Sequence, residues 1–304
     1  MKYKGDDILE WKKYKNYSNK ESIISSKINS FSETFKIRFY TKDVLKDNIV
    51  LGYILPVSDN EEKKIKRQKI LERIIKVNNL ASSNQLPEIV DFKNNIVYMD
   101  YFDGVIMKDA IKNNFFVKYN SNTKKDQDEI ALKRIMRSII PSLIDFQRDL
   151  YNKNLIHLGI FPEHIIVQKD DILKIKGLRY ISRHINGYID DKVITNENLY
   201  GSIINKRYTP PELIEYIKSK GNKKIKAKTI VSYQIGILLF DIVTKGAYIN
   251  NEITGDLIYN AKYYLNYFES QNVMQFILDL IDPNPVNRME KFEDIKEKCR
   301  EFTK

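Results

Sequence analysis

The stretch LIHLGIFPEHIIV, residues 155 to 167, carries two histidines, His157 and His164, around Gly159, Pro162 and Glu163. A neutral imidazole can move a proton near neutral pH or bind a transition metal. Neither histidine has a neighbouring His or Cys to complete a ligand set, so His164 reads as a hydrogen-bonding residue and His157 as a packed, backbone-bonding one. Two adjacent aspartate pairs follow this stretch. Asp170 and Asp171 lie between two short apolar runs, where solvated turn residues are expected. Asp190 and Asp191 fall in a mobile-looking segment after Arg179, from which a carboxylate could reach a cleft. The one cysteine, Cys299, has no partner for an internal disulfide and no partner ligands in its charged helical stretch, which fits a reducing cytosol.

At 304 residues and 42% apolar content the chain can fill one or two cores. The first residues, with Lys2, Lys4, Asp6 and Asp7, contain no apolar signal segment. The longest apolar run, TIVSYQIGILLFDIVT, is interrupted by Gln234 and Asp241 and is too short to cross a bilayer, so a buried helix of a soluble protein is expected. The net charge of +11 raises nucleic acid or an acidic surface as a partner. The basic residues are spread along the chain without an arginine-rich segment, and Lys, Asn, Ile and Tyr are abundant together, as an AT-rich genome produces. Lys63, Lys64, Lys66, Lys69 and Lys76 on one helix, and GNKKIKAK around Lys223 to Lys228, accordingly read as solvated surface.

These residues need elements to position them. Alternation in TFKIRFY and NIVLGYIL, broken by the turn-like TKDVLKDN, predicts antiparallel strands between Ile23 and Pro56. NEEKKIKRQKILERIIKVNNL predicts a helix capped at Ser58, Asp59 or Asn60. EIVDFKN and NIVYMDYF predict two more strands. The long periodic stretch IALKRIMRSIIPSLIDFQRDLYNKN has Pro141 in its middle, where a kink or break is expected. HIIVQKDDILKIKG predicts a small hairpin, and mostly helix follows from Pro210. Strands with one helix first and helices later give an α+β chain of two lobes with the hinge near Asp100 to Asp103.

In this order the motifs resemble those of protein kinases. IVYMDYFDGVIMKDAI is similar to the family's strand, hinge and following helix, with Met99 at the gatekeeper position and Asp100, Tyr101 and Phe102 in the nucleotide-contacting hinge. LIHLGIFPEHIIV resembles the catalytic loop, LKIKGLRYIS the strand entering the metal-binding Asp-Phe-Gly, and RYTPPELI the end of the activation segment. SYQIGILLFDIVTKG resembles the central buried helix and DLIDPNPVNRM the late Asp-Pro and Arg. The resemblance runs from about residue 25 onward and implies a bilobal kinase-like fold, an N-lobe of 1–102 with an extension of about 22 residues, and a C-lobe of 103–304.

Phosphoryl transfer depends on charges fixed around the nucleotide and its metals. By the resemblance, Gly159 stands for the substrate-orienting aspartate, Phe161 for the catalytic-loop lysine, His164 for a metal-holding asparagine and Gly177 for the main magnesium ligand. INSFSETFKI holds no glycine to let backbone N–H groups approach phosphate. Gly52 or Tyr53 takes the place of the phosphate-pairing lysine, and Arg67 or Gln68 that of its glutamate partner, with Glu72 in another register. Val231 replaces an aspartate that supports the loop, which suggests a loop no longer held for catalysis. His157, Pro162, Glu163, Leu178, Glu212, Gly236 and Arg288 keep structural roles, with Glu212 and Arg288 expected to form a buried ion pair. The resemblance therefore implies a pseudokinase without cofactor or metal, working through a protein partner. The alternatives are altered nucleotide chemistry in the same cleft, such as nucleotidyl transfer, and a nucleic-acid binder.

Overall fold

Alternating apolar residues form the two longest strands of the chain. The computed structural model describes residues 17–18, 23–29, 32–41, 44–54, 61–93, 96–100, 102, 104–113, 130–191, 194, 205, 207–244 and 271–303. The fold is mixed α+β. Strands β1 (Tyr17–Ser18), β2 (Ile23–Asn29), β3 (Ser32–Thr41), β4 (Val44–Ile54), β5 (Ile89–Lys93) and β6 (Ile96–Asp100) make an antiparallel sheet of order β1-β3-β4-β6-β5, with β2 also on β3. The turn expected over TKDVLKDN is shorter than its composition suggests. Asp47 and Asn48 lie within β4 opposite Tyr40 and Phe39, because cross-strand pairing overrides their turn preference. Helix α1 (Glu61–Ala81) follows, and buries Leu71, Ile74, Val77 and Ala81 at helical spacing. Its expected cap at residues 58 to 60 lies outside the described residues.

The chain divides into two compact units, and the main division falls after Phe102. The first contains the sheet and α1, while Ser83–Gln85 belongs with the second. In the second unit, β7 (Val105–Ile106) runs into α2 (Met107–Lys112). A wide π turn at Ile135–Ile139 leads directly into α3 (Ile140–Asn152). Pro141 has no N–H to donate one turn back, and the chain widens there without breaking.

Short paired strands follow in the second unit. β8 (Leu155–His157) pairs with β11 (Ile181–Ile185), while β9 (Ile165–Val167) pairs with β7 and with β10 (Leu173–Ile175). β11 returns as β12 (Tyr188–Ile189) through a tight turn in which Asn186 and Gly187 have φ of 51° and 83°. The segment that looked mobile in sequence is a hairpin, marked by Asn-Gly between apolar runs. Helices α4 (Pro211–Lys218), α5 (Ala227–Val243), α6 (Gln271–Ile281) and α7 (Phe292–Glu301) complete the unit. α5 is buried almost all round, as a run apolar on every face requires, and its Gln234 and Asp241 are buried with it. Gly236 lets it cross α6 closely: a Cβ there would lie 2.5 Å from Ile281 Cγ2. Among the described residues no helix is long and apolar enough to cross a membrane.

Candidate functional site

The segment from β8 to β9 is pinned by two glutamines that sequence patterning passed over. Gln147, on α3, donates from Nε2 to the His157 carbonyl at 2.7 Å and accepts the His157 N–H at 3.0 Å. Gln234, on α5, donates to the Leu158 carbonyl at 2.6 Å and accepts the Ile160 N–H at 3.4 Å. Both amides are fully buried and satisfy backbone groups that no strand pairs. Val231 is buried in α5 without polar reach, and the two neutral amides are what hold the loop. Each was legible only as a polar residue inside an apolar helical stripe.

His157 closes the loop on itself. Its Nδ1 accepts the Gly159 N–H at 3.2 Å, and its Nε2 donates to the Lys176 carbonyl at 3.1 Å. These partners fix one neutral tautomer. Burial, with His164 nearby, pushes its pKa down to about 3. His164 donates from Nδ1 to the Gly159 carbonyl at 2.9 Å. Its pKa falls to about 4, chiefly through burial, with Arg179 and Lys176 adding to the effect. Both imidazoles are thus neutral, bonded to backbone and not poised as bases at neutral pH.

Gly159, Phe161, His164 and Gly177 meet around one ring, that of Tyr180. A Cβ on Gly159 would lie 2.6 Å from Tyr180 Cγ, and one on Gly177 would lie 3.0 Å from Cδ2. The His164 and Phe161 rings lie 4.7 Å and 5.3 Å from the tyrosine ring, centroid to centroid. Gly177 has φ +82°, which starts the turn Leu178–Tyr180 and favours glycine there. The Arg179 guanidinium covers the outer face of the ring at 4.7 Å and donates to Tyr180 Oη at 2.6 Å. Tyr180 itself is 4% exposed.

Charge around this cluster is positive on one side. Lys176 and Arg179 flank Gly177 on either side in sequence, and burial lowers the pKa of Lys176 while Asp109 and Glu163 raise it. The Glu163 carboxylate accepts from Lys108 at 2.8 Å. Among the described residues no group of three or more His, Cys, Asp or Glu could hold a metal ion.

The other sequence candidates are dispersed. Asp170 is exposed, whereas Asp171 is half-buried and accepts from Arg134 Nε at 3.0 Å, so it is an ion-pair partner and not a free turn residue. Asp190 is exposed; Asp191 is buried and accepts from Ser182 Oγ at 3.0 Å. Neither pair of aspartates joins the Tyr180 cluster. In the first unit, Met99 is buried opposite Leu51, and Tyr53 stands opposite Val97 in the β4–β6 ladder. Asp100 and Phe102 are half-buried, and Tyr101 lies outside the described residues. Glu72 is exposed and accepts from Gln68 at 3.1 Å. Pro162 opens the short helical turn Pro162–His164. Cys299 is buried in α7, and burial pushes its thiol up to about 12.

A second polar centre lies under α4. Arg288 forks onto Glu212, with Nη2 to Oε2 at 3.1 Å, and donates to the carbonyls of Asp282 at 2.6 Å and Thr229 at 3.1 Å. The Arg288 side chain is 0% exposed. Beside it, Arg207 pairs with Asp241, which also accepts from Tyr208. Lys226 pairs with Glu290 at 2.7 Å and Lys223 with Glu215 at 2.6 Å, while Lys228 lies 4.4 Å over the Tyr151 ring. Three of the four lysines of GNKKIKAK thus have partners, and Lys223 and Lys226 are exposed as well.

No protein-family model matches the chain, and no curated protein matches it.

Proposed function

We propose that the chain is a pseudokinase with a bilobal protein-kinase-like fold, which transfers no phosphate and acts in the cytosol by presenting its surface to a protein partner. The observation that carries this reading is the convergence of Gly159, Phe161, His164 and Gly177 on the Tyr180 ring. By the motif resemblance these are the positions of the general base, a phosphate-neutralising lysine and two metal ligands. A packed neutral cluster offers none of the carboxylates that hold magnesium and disperse charge during phosphoryl transfer. Lys176 and Arg179 beside Gly177 add positive charge where a divalent cation would have to sit. The division into two units and the Glu212–Arg288 pair support the fold side of the reading.

The test is a thermal-shift titration of the purified protein with ATP, with and without magnesium or manganese. Binding to the folded form raises the unfolding temperature by mass action. No metal-dependent rise is expected, and none of the radiolabel from [γ-32P]ATP should pass to generic protein acceptors. A magnesium-dependent stabilisation together with turnover that a Lys176→Ala change abolishes would overturn the proposal.

A further inference from the structure

We propose that Tyr180 is a fixed plug: its ring occupies the space that any side chain at position 159 needs, so an acid cannot be restored there while the ring remains. The mechanical part of this inference stands on geometry. Its bearing on phosphoryl transfer rests on the pseudokinase reading.

A Cβ at position 159 would approach Tyr180 Cγ to 2.6 Å and both Cβ and Cδ2 to 2.9 Å, closer than non-bonded carbons pack. Gly159 has no left-handed φ, so space and not backbone conformation demands glycine. The tyrosine cannot retreat easily. Its carbonyl accepts the Leu158 N–H at 2.9 Å and its N–H donates to the Gly177 carbonyl at 2.8 Å, which ties its backbone to the loop it covers. Arg179 covers one side of the ring, while His164 and Phe161 line others. The plug and Gly159 are one device, in which the bare backbone at 159 is the room that the ring fills.

The test is a double-mutant cycle in thermal unfolding, using wild type, Gly159→Ala, Tyr180→Ala and the double variant. Gly159→Ala alone is expected to lower the unfolding temperature by about 5 °C, as overpacking in a buried site does. With Tyr180→Ala in place the same change should lower it by less than half as much, since only the tyrosine Cβ remains in the way. Equal drops in both backgrounds, or no drop in the wild-type background, would overturn the plug. Should Tyr180→Ala not fold, Gly159→Ala alone decides: a drop in its unfolding temperature supports the plug, and no drop overturns it, because a Cβ at 159 would then have found the space the ring is held to fill. Stabilisation of the wild type by magnesium and ATP would count against the pseudokinase reading and leave the cycle unchanged. An additive cycle would remove the plug and leave that reading standing.

Discussion

The Tyr180 cluster and the Arg288 centre sit in the same unit and treat charge in opposite ways. Around Tyr180 the chain places two glycines, an aromatic ring and a neutral imidazole, with no carboxylate among them. Around Arg288, two buried guanidinium–carboxylate pairs are present, and the remaining donors of Arg288 reach backbone carbonyls. Burying a charge costs several kcal/mol unless partners satisfy it. Arg288 and Asp241 draw all their partners from the chain itself, so they persist without a ligand. A catalytic carboxylate depends on a metal and a phosphate for compensation. Where such partners are not supplied, an apolar ring is the more stable occupant of a buried position. The contrast separates charge that builds the fold from charge that serves a substrate.

The sharpest way to break the comparison is to remove one partner of the Glu212–Arg288 pair. Arg288→Ala leaves Glu212 without its counter-charge and frees the Asp282 and Thr229 carbonyls. A loss of about 3–5 kcal/mol is expected in urea unfolding. A loss below about 1 kcal/mol would mean that this centre is as dispensable as a surface pair. Next in size is the loop support. Gln234→Ala orphans the Leu158 carbonyl and the Ile160 N–H, at a cost of about 2 kcal/mol. Hydrogen exchange should quicken at residues 157 to 161 and stay unchanged at α7, which a uniform destabilisation would not produce.

Acid sharpens the comparison from the other side. His164 and His157 stay neutral in the folded chain down to about 4 and about 3, whereas both take up protons near 6.5 once unfolded. Between those values the unfolded form binds more protons, so stability is fully present above pH 6.5 and falls as pH drops toward 4. Each imidazole contributes a slope of up to about 1.4 kcal/mol per pH unit. His164→Gln can keep a donor to the Gly159 carbonyl without the titrating ring. Urea midpoints from pH 7 to 4 should therefore fall less steeply in that variant than in wild type. Identical slopes would show that His164 is already exchanging protons with solvent in the folded state.

How much of this was legible beforehand follows the same division. Periodicity is local, so the strands of TFKIRFY and NIVLGYIL, the helix α1 and the buried α5 could be read from residue spacing. The Glu212–Arg288 pair was legible because the motif resemblance supplied both ends. Tyr180 was not, because a tyrosine beside an arginine carries no sign of which glycine its ring will cover. Gln147 and Gln234 lie far from the loop in sequence and announce themselves only as polar residues in apolar faces. The Asn186-Gly187 turn was present in the sequence as a hairpin signal and was overlooked in favour of a mobile segment. Asp171 reads in sequence as a solvated turn residue because Arg134, its partner, comes from a different element.

The smallest expected effect sets the floor of the comparison. Lys226 and Glu290 form an ion pair at 2.7 Å, with side chains 48% and 42% exposed. Its geometry is as short as that of many buried pairs, but water screens both charges and competes for both groups, while holding two long side chains costs entropy. Lys226→Ala should therefore leave the urea midpoint close to that of wild type, and raising the salt from 50 mM to 500 mM should erase any remaining difference. The strand-like backbone bridge between Lys226 and Tyr188 is untouched by the change, so the hairpin β11–β12 keeps its anchor. A loss comparable to that of Arg288→Ala would show that burial, and not distance, is the wrong criterion for telling structural charge from incidental charge in this chain.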